Sequence, residues 1–389
     1  MDTRARMTIL QLHKNEALRQ QEFPVCKQGI FLAHAGVCPL PQRVAAAMNS
    51  YTSECMKGDQ EAFFPDHLME KTRDLSARLL GCATEEIALV GPTSVGLSIV
   101  ANGLDWHEGD NVVFYAEDYP SNVAPWMDLA RKGVRLRELK PARLGEITLD
   151  DLMPLVDART RLVALASAHF ISGYRPDMDK IGQWLHLRGV FLCVDGIQTL
   201  GAIPTSVAHV DFLAADAHKW LLGPCAAGIL YVRREVQPKL NPTLLGWNNV
   251  ISPGFIVPRE IRFPSHAGRY EAGSPNLVGV VGLHACLSLI LEYSISVIEE
   301  TVLAHTRFLR AELIRKGYEL AAISETNLSG ITSFRKDGVD KAALYRKLAD
   351  ARMVSSLRRT RDGREWIRLS PHFYNTRSEL EEVLTRIPG

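Results

Sequence analysis

The chain alternates short apolar runs with segments whose apolar residues recur at helical spacing. In "DHLMEKTRDLSARLLG", Leu68, Leu75, Leu79 and Leu80 recur at roughly that spacing, and Gly81 closes the segment. The run "EIALVG" (Glu86 to Gly91) reads as a buried strand, followed by a turn and a helix through "SVGLSIVANGL". Further strands are expected at "NVVFYA" (Asn111 to Ala116), "RLVALASAH" (Arg161 to His169), "VFLCVDG" (Val190 to Gly196), "VDFLAADA" from Val210, and "GILYV" (Gly228 to Val232). Helical patterns such as "DMDKIGQWLHLRG" separate them. Strands alternating with helices from about Asp66 to Val232 specify an α/β protein with a mainly parallel sheet covered by helices. After about Gly273 two long helical patterns take over, "PNLVGVVGLHACLSLILEY" and "SVIEETVLAHTRFLRAELIRKG". A smaller α+β portion follows with "GITSFR", "KAALYRKLADA", "REWIRLS" and "SELEEVLTRI". No repeat or low-complexity linker intervenes, so the second portion is expected to pack closely on the first.

In an open α/β sheet, ligands collect beyond the carboxyl ends of the strands, where loops and helix N-termini converge. The polar residues at those ends are Thr93 and Ser94, Tyr119, His169, Asp195 and Gln198, and finally Asp216, His218 and Lys219. Thr93 and Ser94 open a helix, so they suit a phosphate or serve as an ordinary N-cap. Asp195 ends a strongly apolar strand. It reads either as a turn residue or as a buried carboxylate, and the lysine that follows later favours the second. Lys219 is flanked by apolar "WLL" and by a second strand, so it is expected to be buried. A carboxylate at the end of one strand and a lysine at the end of another suit an aldehyde cofactor with a basic ring nitrogen. Pyridoxal 5'-phosphate needs a lysine for its Schiff base, a carboxylate to keep its pyridine nitrogen protonated, donors for its phosphate and an aromatic face. Lys219, Asp195, Thr93 with Ser94, and Tyr119 fit those needs.

Composition narrows the picture. The 389 residues are 46% apolar and 23% charged, enough for a large core divided between two domains of unequal size. A formal net charge of +1 offers no global attraction to nucleic acid or membrane, and basic clusters such as "SLRRTRDGR" (Ser356 to Arg364) read as solvated faces. The seven cysteines (26, 38, 55, 82, 193, 225 and 286) form no CxxC pair and no zinc spacing, which suits a reducing compartment. The opening residues lack the apolar core of a signal peptide, and no segment reaches the roughly 18 to 20 apolar residues of a membrane span. A cytoplasmic protein is expected.

Four motifs, "VDGIQTLGAIP", "ADAHKWLLGP", "YEAGSPN" and "RLSPHFYNT", stand in this order along the chain. With them the chain resembles the class V aminotransferase family of fold type I pyridoxal phosphate enzymes, from Phe31 to Leu384. That group includes cysteine desulfurases, selenocysteine lyases, kynureninases and isopenicillin N epimerase-like proteins. The resemblance implies a large cofactor-binding α/β domain over 20–283 and a small α+β domain made of 1–19 and 284–389. It implies Lys219 as the internal aldimine lysine, Asp195 beside the pyridine nitrogen and Gln198 as donor to the phenolic oxygen. Thr93, Ser94 and His218 would bind the phosphate, Tyr119 would stack on the ring, and His169 counts among the cofactor-binding positions. Ser274 would reach the phosphate of a neighbouring subunit, so a homodimer with shared active sites is implied. Arg368 would hold the substrate carboxylate, with His34 and Gly36 close by.

Two departures from the family pattern bear on function. Asp216 stands where many relatives carry a phosphate-donating serine; an ionised carboxylate cannot donate, so it is expected to turn away or bond to backbone. The segment "ARMVSSLRRTRDGREWIRLS" lacks the mobile cysteine of desulfurases, and Cys225 reads as a small residue of the Gly223 to Gly228 turn. The expected activity is Cα deprotonation of a small α-amino acid held as an external aldimine, leading to β-elimination or epimerisation. Transamination is the alternative within the family. A non-catalytic phosphate-binding α/β protein is the alternative outside it, although such a module needs neither Lys219 nor Arg368.

Overall fold

The computed structural model describes residues 9–256 and 259–389. Seven strands form the central sheet: β1 (Ile87–Val90), β2 (Asn111–Phe114), β3 (Arg135–Glu138), β4 (Thr160–Ala166), β5 (Phe191–Asp195), β6 (Phe212–Asp216) and β7 (Gly228–Val232). Their order is β1-β7-β6-β5-β4-β2-β3, and β7 alone runs against the others. This is the mainly parallel α/β sheet expected from the sequence. Its strands are apolar throughout because both faces are covered. Val112 and Phe114 enter one core with Leu97 and Trp126, while the intervening Val113 enters the other with Leu283.

Helices α1 (Gln42–Cys55), α2 (Leu68–Leu80), α3 (Thr93–Gly103), α4 (Met178–His186) and α5 (Leu277–Tyr293) surround this sheet. Gly81 ends α2 in the left-handed conformation, as the sequence suggested. Helix α5 is apolar nearly all round and packs against both α1 and α2, so its hydropathy reflects burial. No single described helix is long and apolar enough to cross a membrane.

The chain continues through α6 (Ile295–Arg315) into a second, antiparallel sheet. Strands β8 (Glu319–Leu320), β9 (Thr332–Arg335), β10 (Ser356–Arg359) and β11 (Glu365–Leu369) lie in the order β10-β11-β9-β8. Helices α7 (Lys341–Asp350) and α8 (Arg377–Arg386) bury Leu344, Leu348, Leu380 and Val383 in the same core as Phe334, Ile367 and Leu369 of this sheet. The opposite face is polar and carries Ser333, Ser356 and Arg368 in register.

Three strands of the two sheets escaped the sequence reading, one of them the two-residue β8. "RLRE" is an edge strand with no fully buried residue, so it lacks the apolar run that marked its neighbours. "SLRR" was assigned to a solvated basic face, yet it forms β10, with Leu357 against the small core and Arg358 turned the other way.

Helix α3 sits unusually close to β6, since a Cβ on Gly96 would lie 2.7 Å from the Cβ of Ala214. Both partners are short and rigid, so relief requires the helix to move. Gly96→Ala is expected to destabilise the protein by about 1–3 kcal/mol through overpacking. A urea midpoint at or above that of the parent would contradict this account of the helix–sheet contact.

Candidate active site

The carboxyl ends of β1, β5 and β6 open on one cavity of about 310 Å³. Its lining includes Gly36, Thr93, Ser94, Tyr119, Asp195, Gln198, His218, Lys219 and Arg368, all named from sequence. It also includes Ser121, Phe170 and Arg358, which were not. Residues far apart in the chain meet because β5 and β6 are adjacent, with Asp195 opposite Ala214, and because the small sheet closes the cavity from the other side.

Asp216 organises the loop that carries the lysine. Its Oδ1 accepts from the backbone N–H groups of Ala217 and Ala227 at 2.8 and 3.1 Å, and its Oδ2 accepts from Ala226 N–H at 3.1 Å and His218 Nδ1 at 2.7 Å. The expectation that this carboxylate bonds to backbone therefore holds. An acceptor-only oxygen requires the hydrogen on Nδ1, which leaves His218 Nε2 uncommitted. Asp216 N–H in turn donates to Thr93 Oγ1 at 2.9 Å, tying the loop to the start of α3. Ser94 Oγ donates to Ser121 Oγ at 2.8 Å.

Lys219 is only 6% exposed, and its Nζ has no hydrogen-bond or ion-pair partner among the described residues. Its Nζ lies 5.1 Å from the centre of the Tyr119 ring. Burial lowers its pKa to about 8; Asp195 opposes that shift, while the Arg368 and Arg358 cations reinforce it. Burial raises the pKa of Asp195, against the Ile197 N–H that donates to its Oδ1 at 3.0 Å and against Lys219. A second buried carboxyl, Asp118, is pushed up to about 7 by burial and by Asp195. It accepts from Tyr119 N–H and from Asn122 Nδ2, so it fixes the loop on which Tyr119 is mounted. Gln198 bridges Trp220 Nε1 and the Ala35 carbonyl, with one amide hydrogen left over.

Arg368 is 1% exposed on the central strand of the small sheet, where it donates to the Phe170 carbonyl and, at 3.5 Å, to Ser356 Oγ. Gly36 is brought beside it by the segment from Ile30, which lies along the end of β11 through the Ala33–Ser370 bridge.

Three positions named from sequence do not line this cavity. His34 is fully buried behind it, with Nδ1–H donated to the Ser370 carbonyl and Nε2 accepting from Tyr374 Oη. Burial holds it well below its ordinary pKa, so it is a neutral brace for the Gly36 segment. His169 is likewise buried and neutral, lowered to about 4 by burial. Its Nδ1 accepts from Ser172 and its Nε2–H donates to the Glu117 carbonyl, anchoring the loop before Tyr119. Ser274 lines a separate cavity of about 180 Å³ with Gly91, Ala226 and Asn276.

The donors and acceptors left unused match a definite ligand. A buried lysine whose Nζ has no partner among the described residues, a buried carboxylate whose Oδ2 accepts from none of them, and the first turn of an 11-residue helix that lacks a side-chain cap, beside two hydroxyls, suit pyridoxal 5'-phosphate. Fold and site together define a pyridoxal-phosphate-dependent enzyme of fold type I. The chain belongs to the class V aminotransferase family, whose model, Aminotransferase class-V, matches residues 30–383. It is 27% identical to a probable cysteine desulfurase of Methanothermobacter thermautotrophicus, over 95% of this chain and 97% of that protein. An uncharacterized aminotransferase of Bacillus subtilis, YcbU, is 28% identical over 96% and 98%. Among solved structures, the apo cysteine desulfurase of Thermococcus onnurineus NA1 superposes with a TM-score of 0.84 at 24% identity, covering 94% of this chain and 95% of the other. The cystine C–S lyase C-DES, solved with its product cysteine persulfide, gives the same TM-score at 23% identity, covering 94% and 98%. These two structures share the fold.

In the ligand-free protein, modification of Lys219 by an amine reagent is expected to follow a midpoint near pH 8, well below that of surface lysines. Asp195→Asn removes the attraction that favours the ammonium and should move the midpoint lower still. Peptide mass spectrometry across a pH series reads both. A midpoint near 10 in the parent would show that Lys219 is solvated.

Proposed function

We propose that this enzyme removes the α-proton of a small amino acid and expels its β-substituent, acting as a β-eliminating lyase. Lys219 Nζ would hold the cofactor, Asp195 its ring nitrogen, Tyr119 its ring face and Gln198 its phenolic oxygen. Thr93, Ser94, His218 and the first N–H groups of α3 would take the phosphate. When bound, pyridoxal phosphate supplies the electron sink that stabilises negative charge at the substrate α-carbon.

The chain's own groups account for the remaining steps. Arg368 binds the α-carboxylate and fixes the substrate across the cavity floor. Once the substrate amino group has displaced it from the cofactor, Lys219 Nζ is a free amine and takes the α-proton. The β-substituent leaves with its bonding electrons, and the released enamine hydrolyses to pyruvate and ammonia. Phe170, Tyr119 and Arg358 of the small sheet line the rest of the cavity.

One observation favours elimination over persulfide formation. A desulfurase must bring a mobile thiolate to the substrate sulfur. Here the segment that closes the cavity is a β-hairpin, β10 to β11, whose turn is pinned by Thr360 N–H to the Arg364 carbonyl and Gly363 N–H to the Thr360 carbonyl, both at 2.9 Å. It contains no cysteine. Cys225 is the exposed cysteine of the chain, and it does not line the cavity. The fold itself serves a desulfurase and a C–S lyase alike, so the hairpin carries the distinction.

Incubation of the loaded enzyme with cysteine, or with an amino acid bearing a better β-leaving group, is expected to yield pyruvate and ammonia in equal amounts, with no alanine. Stoichiometric alanine together with a protein-bound persulfide would establish a desulfurase. A keto acid that retains the whole side chain would establish a transaminase, and racemised substrate an epimerase.

A further inference from the structure

The cavity holds more positive charge than one amino-acid carboxylate can neutralise. Arg358 was read from sequence as part of a solvated basic face, yet it lines the cavity beside Arg368. In β10, Ser356 stands opposite Arg368 and Arg358 opposite Trp366, which places both arginines on the polar face of the small sheet. Both Nη2 atoms lie 3.7 Å from the position a Cβ would take on Gly36. A side chain there would stand between them, so glycine leaves both guanidinium groups open to a common ligand.

Neither arginine has a carboxylate partner among the described residues. Among the described residues the Arg358 side chain has no hydrogen-bond partner, and the Nε atoms of Arg358 and Arg368 are both buried and unpartnered. Arg368 is buried and Arg358 lies half-buried beside it, so the two cations oppose one another, and burial together with Arg358 disfavours charge on Arg368. The fold offers no compensation of its own. Asp195 lies near Lys219, Asp118 is occupied by Tyr119 N–H and Asn122, and the phosphate donors belong to the α3 end of the cavity. A negatively charged ligand in the cavity would supply that compensation.

We propose that Arg358 is a specificity-determining residue, and that the substrate is an α-amino acid carrying a second anionic group on its β-substituent. Arg368 takes the α-carboxylate and Arg358 the second anion, across the gap left by Gly36. The assignment rests on the proposed substrate site, with Arg368 as its carboxylate anchor, but it does not depend on which reaction follows.

Dicarboxylates without an amino group test it apart from turnover. Calorimetric titration of the cofactor-loaded protein with succinate, glutarate and butyrate should show the better-fitting diacid binding about 10- to 100-fold more tightly than the monoacid, as one added charge-assisted contact provides. Arg358→Gln should bring the diacid to the affinity of butyrate while butyrate itself changes little. Arg358→Lys, which keeps the cation, should retain a measurable part of the gap and shows that the loss in the glutamine variant reflects charge. Equal affinity for diacids and butyrate in the parent would overturn the proposal, because the two arginines would then share a single carboxylate. A full gap in Arg358→Gln would overturn it as well. If diacids bind as expected and no amino acid yields pyruvate, the elimination reading fails and this one stands.

Discussion

The carboxylate of Asp216 is the constraint on which the site depends. Four donors converge on its two oxygens, three from backbone and one from His218. Chain reversal between β6 and β7 must place Lys219 in the cavity and then return through Leu222 and Ala226, both left-handed although neither is glycine. Such residues cost roughly 1–2 kcal/mol each. The charge-assisted bond from Ala226 N–H to Asp216 offsets part of that cost, and Ala227 and Ala217 add to it. The same residue orients the His218 ring and, through its N–H to Thr93, couples the lysine loop to the start of α3. A serine at this position could donate to a phosphate but could not accept all four bonds as a charge.

The electrostatic character of the cavity follows from this frame. Lys219 is delivered into a buried space with Asp195 on one side and two arginines on the other. Burial disfavours charge on Lys219, Asp195 and Arg368, so opposite charge nearby favours their ionised forms. Bound pyridoxal 5'-phosphate, with its anionic phosphate, would add negative charge to this set. The buried histidines serve the walls: His34 holds the Gly36 segment to β11, and His169 holds the Tyr119 loop.

How much of this was legible in the sequence depended on burial. Lys219 and Asp195 stood out because ionisable groups directly after strongly apolar runs are costly unless used. The buried strands were readable for the same reason, while β3 at the edge was not, because "RLRE" buries no residue fully. Arg358 was hidden among neighbours that are solvated: Arg359 pairs with Glu365 at the surface, and only the strand's alternation separates the two. The period-2 pattern of "SSLRR", with Leu357 facing the core, was the available signal. His34 and His169 were placed one layer too far in because a histidine's partners are set by tertiary contacts. The Ser370 carbonyl that binds His34 is 336 positions away.

The central claim is that Lys219 carries the cofactor in a cavity built to hold it. Borohydride reduction of the protein after incubation with pyridoxal 5'-phosphate, followed by peptide mass spectrometry, tests it most directly. The account predicts a single pyridoxyl adduct, on Lys219, that is absent from Lys219→Ala. A label on another lysine, or an adduct of equal yield in Lys219→Ala, would contradict it.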